Sequence, residues 1–234
     1  MQKFTLQLAT LAGALVLSLN ASAHNKNNFS VAMSKPTSIQ NEVQTLSQQA
    51  PKLKTNVLKL ALTAFYNAQH MGFDHRQILT VIDYNMPDYQ KRLWVFNLKT
   101  HHVLYNTYVA HGKSSGNVYA NHFSNRGGTH ASSIGLFLTK NTYFGGKGLS
   151  LRLAGLDRGF NDNALRRNIV MHGAWYVSSA FAKEYGRIGE SWGCPALSRQ
   201  VAKPIINTIK NGTLVFAYAS DYSWLHASRF LRSA

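Results

Sequence analysis

Two runs carry a histidine and a cysteine that read as a pair: Ile169-Val170-Met171-His172-Gly173 and Gly189-Glu190-Ser191-Trp192-Gly193-Cys194-Pro195. The first is a short apolar segment, read as a strand whose end holds an imidazole at a sheet edge. The second is a glycine-flanked loop that can carry the thiol back to it. An ordinary thiol is only a few per cent ionised at neutral pH, so a nucleophilic cysteine needs a base beside it. His172 is the natural base for Cys194. Gly193 allows close approach of backbone to a carbonyl, and the N–H groups of Gly193 and Cys194 are candidate donors to a tetrahedral oxyanion. Ser191 is expected to bond the imidazole or fix the loop, and Trp192 to pack beneath it. On spacing alone, a core histidine and an inert buried cysteine in a glycine turn remain an alternative.

Around these runs the pattern is mainly β. From about Ile78, short β-like runs alternate with Gly, Asn and Ser clusters, at Arg92–Asn97, Val103–His111, Ser133–Thr139, Ser150–Ala154, Asn168–Met171 and Thr213–Ala219. Short helices are expected at Ser179–Glu184 and Ser198–Lys210, with Pro204 marking a kink or a restart. Upstream, Asn56–Met71 places Val57, Leu58, Ala61, Phe65, Ala68 and Met71 at helical spacing, with Asn56 as N-cap and Gly72 as stop. This amphipathic helix, within residues 56–77, is expected to pack on the domain formed by residues 78–234, whose end is a C-terminal extension. Residues 24–55, rich in Asn, Ser, Gln and Lys, read as a flexible leader with at most a short helix around Glu42–Gln49.

Residues 1–23 have the three parts of a cleaved signal peptide. These are Lys3, the apolar run Leu8–Leu19 and the small-residue exit Ala21-Ser22-Ala23. The apolar run is roughly half of the ~20 residues that span a bilayer, and no later segment is long enough, so the mature chain is expected to have no transmembrane span. An exported protein of the periplasm or cell envelope is the expectation. In such a compartment a single cysteine is either reactive, an intermolecular link, or buried and inert.

Composition removes several classes. With 45% apolar and 15% charged residues the chain buries a core, which excludes disorder, collagen and coiled coil. One cysteine excludes an internal disulfide and thiolate metal clusters, and nine acidic residues leave little for clustered-carboxylate enzymes. HExxH, Walker and GxSxG motifs are absent. The ten histidines lack a recognisable ligand spacing with Asp or Glu, so neither a metal nor another cofactor is expected.

The ordered set Phe123-Ser124-Asn125, Ser132-Ser133-Ile134-Gly135, Ser150-Leu151-Arg152-Leu153, Asn161-Asp162-Asn163-Ala164, His172-Gly173-Ala174, Tyr176-Val177-Ser178 and Gly193-Cys194-Pro195-Ala196 resembles the L,D-transpeptidases with a YkuD-like catalytic domain. The resemblance runs from about Arg92 to Tyr218. It implies a mainly β (α+β) fold, a sandwich or barrel-like domain. It also implies attack by Cys194 on the carbonyl before the terminal D-alanine of a peptidoglycan stem peptide, with His172 as base and Gly193 as oxyanion donor. The resulting thioester goes to an amine, or to water in an L,D-carboxypeptidase. Ser191, Trp192, Gly173 and Tyr176 are expected along the substrate. Many relatives carry an arginine shortly after the cysteine; here Pro195-Ala196 stands there, and Arg187 is the expected substitute for carboxylate recognition.

The net charge of +16 attracts polyanions. Its cations are dispersed (Lys52/Lys54/Lys59, Arg166/Arg167, Arg229/Arg232), so anionic wall polymers or the envelope surface are expected partners and a specific nucleic acid is not. A non-catalytic wall-binding module is the competing reading from another class.

Overall fold

The computed structural model describes Met1 and residues 36–74 and 76–232. The expected signal peptide and the leader up to residue 35 otherwise lie outside the described residues. Five helices and nine strands follow: α1 Pro36–Gln49, α2 Thr55–His70, β1 Ile78–Asp83, β2 Leu93–Asn97, β3 His102–Thr107, β4 Val109–Ala110, β5 Gly135–Gly145, β6 Gly148–Gly155, β7 Val170–Ala174, α3 Ser179–Tyr185, β8 Ala196–Ser198, α4 Arg199–Ile209, β9 Leu214–Tyr218 and α5 Tyr222–Ala227. All belong to one unit, Ser34–Ala234.

The strands form one mixed sheet in the order β3-β2-β1-β9-β5-β6-β7-β8-β4. The β1–β9 and β7–β8 pairs are parallel and the others antiparallel. β3 and β4 stand at opposite ends of that order, yet only Tyr108 separates them in the chain. Two residues reach at most ~7 Å, so the two edges are drawn together and the sheet curls into a nearly closed barrel. The single run expected at Val103–His111 therefore splits into two strands that serve opposite edges.

Strands β1 and β9 are buried along their whole length, as apolar runs covered on both faces must be. α2 covers them from outside, burying Val57, Leu58, Ala61, Leu62, Ala64, Phe65 and Ala68. It begins at Thr55 behind Lys54, so the expected Asn56 cap lies inside the first turn, and Met71 is exposed. Its end is a Schellman motif: Gly72 takes φ +85°, its N–H reaches Gln69 O, and Phe73 N–H reaches Ala68 O.

Over its described part the expected leader carries a longer helix than the one expected around Glu42–Gln49. Residues 36–49 form α1, which buries Val43 and Leu46 and packs on α2 and β3. Gln49 spans the edge of β3, donating to His101 O at 2.6 Å and accepting from Val103 N at 3.1 Å. On the other flank α4 packs on β6, β7 and β8, and Pro204 lies inside it without ending the helix. Among the described residues no helix is long and apolar enough to cross a membrane.

Candidate active site

The parallel pairing of β7 and β8 sets the site. His172 is in register with Ala196, so Cys194, two residues earlier, falls beside Val170. Val170 and His172 share a face of β7, and the loop ahead of β8 brings the sulfur to the same cavity wall. Both line one cavity of about 630 Å³ with Lys147, Arg167, Tyr176 and Trp192. The chain reaches β7 through Asn168, held at φ +53°.

The protons in the resting site can be placed from these contacts. His172 Nδ1 lies 3.0 Å from Gly173 O. A carbonyl only accepts, so Nδ1 carries the hydrogen and Nε2 keeps its lone pair. Cys194 Sγ accepts from Val170 N–H at 3.5 Å and donates to Asn168 O at 3.7 Å. Among the described residues no hydrogen bond joins His172 to Cys194. Burial lowers the His172 pKa and raises that of Cys194, the latter opposed by the Val170 N–H, Arg167 and Lys147. The pair thus rests neutral. The thiol hydrogen is directed at Asn168 O and not at His172 Nε2.

Ser191 belongs to the loop rather than to the imidazole. Its Oγ donates to Cys194 O at 2.6 Å and accepts from Gly193 N–H at 3.1 Å. Gly193 is therefore required for its shape: it holds φ +108°, and a Cβ would stand 2.8 Å from Ala131 O. Its N–H, expected as an oxyanion donor, is already occupied. The Cys194 N–H has no partner among the described residues and remains available for that position. Trp192 does not pack beneath the loop; it is exposed at the rim, stacked on His130 with centroids 4.7 Å apart.

A buried platform carries the loop. Ser191 N–H donates to His111 O at 2.9 Å, and His111 Nδ1 accepts from Arg92 Nη2 at 2.7 Å. Arg92 is fully buried and also donates to Val109 O and Met86 O. Burial and the neighbouring guanidinium push His111 down to about 4, so it stays neutral as this acceptor requires. Asp88, buried nearby, is raised to about 6 by desolvation.

The remaining expected residues divide. Gly173 supplies the carbonyl that orients His172 and packs closely on α4, where a Cβ would lie 3.2 Å from that of Ala202. Tyr176, like Lys147, lines both the cavity of Cys194 and a second cleft of about 560 Å³. Arg187 does not line the cavity; it pairs with Glu190 at 3.1 Å. Sequence reasoning missed Arg167, Lys147, His130 and Asn168. The signal for Lys147 was a lone cation in a glycine turn, Gly145-Gly146-Lys147-Gly148, and that for Arg167 its place five residues before His172.

Taken together, a thiol, a neutral imidazole with a free nitrogen and an unpaired loop N–H make an arrangement suited to acyl transfer. Solved structures include similar chains at low identity. An L,D-transpeptidase from Mycobacterium smegmatis is 15% identical over 61% of this chain and 59% of its own, with TM-score 0.37. L,D-transpeptidase 1 from Mycobacterium tuberculosis is 13% identical over 61% and 62%, with TM-score 0.34. An L,D-transpeptidase from Stackebrandtia nassauensis is 12% identical over 77% of each chain, with TM-score 0.36. The chain spans about three fifths of the length of the two mycobacterial proteins, and likenesses this distant carry no argument about mechanism. None of the curated proteins matches. The profile of the YkuD_2 family, the L,D-transpeptidase catalytic domain, matches residues 49–218, and the chain accordingly belongs to that family.

Proposed function

We propose that the protein is a cysteine acyltransferase acting on peptidoglycan stem peptides. Cys194 Sγ attacks the carbonyl carbon that precedes a terminal D-alanine, forming the S–C bond while the thiol proton passes to His172 Nε2. The carbonyl oxygen becomes an oxyanion beside the Cys194 N–H. Collapse breaks the peptide C–N bond, and His172 returns the proton to the departing D-alanine amine. The thioester left on Cys194 stays reactive toward an amine of a second stem, which yields a cross-link. Water in that place yields an L,D-carboxypeptidase product from the same residues. Export to the wall, expected from residues 1–23, puts the enzyme where this substrate lies.

The observation that supports the reading is the shared cavity wall: His172 on β7 and Cys194 in the loop that enters β8 line one cavity, and Gly173 O fixes the tautomer that leaves Nε2 free. Incubation with tetrapeptide-bearing wall fragments, followed by mass spectrometry, tests it. Wild type is expected to release D-alanine, and Cys194→Ala is expected to release none. A dimeric product marks transfer and a truncated monomer marks hydrolysis. Equal release by the two proteins would overturn the reading.

A further inference from the structure

The catalytic cavity carries more positive charge than its proposed chemistry uses. Of the cavity's Lys, Arg, Asp and Glu residues, Lys147 and Arg167 are cationic and Glu190 is acidic. Glu190 is matched by Arg187 outside the cavity. Neither Lys147 nor Arg167 has a carboxylate partner among the described residues.

The two cations differ in what they can offer. Arg167 is half-buried and clamped: its Nη1 donates to Ser124 O and Ser133 Oγ, and its Nη2 to Ala131 O at 2.7 Å and Thr129 Oγ1 at 3.4 Å. All four terminal hydrogens are taken by neutral acceptors, so the guanidinium is a fixed, uncompensated charge in the wall. Lys147 is exposed between β5 and β6, with three donors and no partner among the described residues. One residue supplies a field and the other a free set of hydrogens. Both line the cavity that holds Cys194, and both favour the charged form of its thiol.

We propose that Lys147 and Arg167 form a carboxylate subsite beside Cys194, so that the cavity selects peptides ending in a free α-carboxylate. Lys147 holds that carboxylate directly and Arg167 by its fixed charge. The inference rests on the acyl-transfer reading and deepens it by naming the residues that meet the carboxylate of the terminal amino acid. It also assigns to these two residues the role expected of Arg187, which Glu190 already engages.

The test uses the single cysteine of the chain. Cys194 is alkylated with iodoacetate, which carries a carboxylate, and with iodoacetamide, which does not; each forms an S–C bond and expels iodide. The ratio of the two rates is expected to fall about tenfold in Lys147→Gln, the size of one charge-assisted contact. Lys203→Gln, which removes a cation from the adjacent cleft, is expected to leave the ratio unchanged and so controls for net charge. In parallel, wild type receives a tetrapeptide as free acid and as C-terminal amide, and the acid is expected to be the better substrate by a similar factor. An unchanged ratio in Lys147→Gln, a matching fall in Lys203→Gln, or equal turnover of acid and amide overturns the subsite. A ratio that falls as expected while neither peptide is turned over supports the carboxylate subsite and rejects the stem-peptide reading.

Discussion

At the level of single residues, the resting site is a neutral pair in which each partner is held by backbone: His172 by Gly173 O, and Cys194 by Val170 N–H and Asn168 O. This sets the pH dependence. The imidazole works as a base only when unprotonated, and burial keeps its folded pKa below the ordinary 6.5. The base form therefore persists below pH 6.5 and is lost only as pH falls through that lower value. We expect kcat/KM for D-alanine release to hold its plateau through pH 6.5 and to decline below it. A decline already complete above pH 6.5 would show that the imidazole is not the buried base described here.

At the level of elements, α1 shows how a segment of polar composition is recruited into the fold. Its sequence, PTSIQNEVQTLSQQ, is weakly apolar, but Ile39, Val43 and Leu46 recur at helical spacing and the latter two are buried. Glu42 is also buried and accepts from Tyr66 of α2 at 2.6 Å. Leu46 has no exposed surface, so Leu46→Ala should cost about 2–4 kcal/mol, as a buried methyl cluster replaced by a void does. Thermal or urea unfolding checks this. The alkylation rate of Cys194 should not change, because α1 packs on α2 and β3, away from β7 and β8. The same contrast explains what the sequence made legible. α2, α3, α4 and most strands carry their own periodicity or caps; Ser178, for example, accepts from Phe181 N–H and Gly186 closes α3 at φ +69°. The three-residue β8 and two-residue β4 have too few residues for a period, and they exist because partners pair with them. That His172 and Cys194 share one cavity agrees with the expectation that a reactive thiol needs a base beside it, although among the described residues no hydrogen bond joins them. The occupation of the Gly193 N–H was not legible, although its partner Ser191 Oγ is only two residues back, because residue types do not fix a hydroxyl's direction; the approach of Lys147 was not, because it comes from the distant turn between β5 and β6.

At the level of the whole molecule, the outward charge is more one-sided than the net +16 indicates. Of the nine acidic residues, Glu42, Asp74, Asp83, Asp88 and Asp157 are buried, and desolvation raises the pKa of each. Only Arg187–Glu190 pairs an Arg or Lys with a carboxylate among the described residues. The surface field is thus set by cations with few acids to offset them, and such a field acts on extended polyanions over about the Debye length, roughly 10 Å at 0.1 M salt and 3 Å at 1 M. Adsorption to anionic wall polymers should therefore collapse as salt rises through that range. The proposed carboxylate subsite acts at short range and Arg167 is half-buried, so turnover of a small free-acid peptide should weaken far less over the same span. Measuring sacculus-bound protein and peptide turnover in parallel salt series separates the two effects. Adsorption that persists at 1 M salt would mean that the protein is retained by contacts other than its charge.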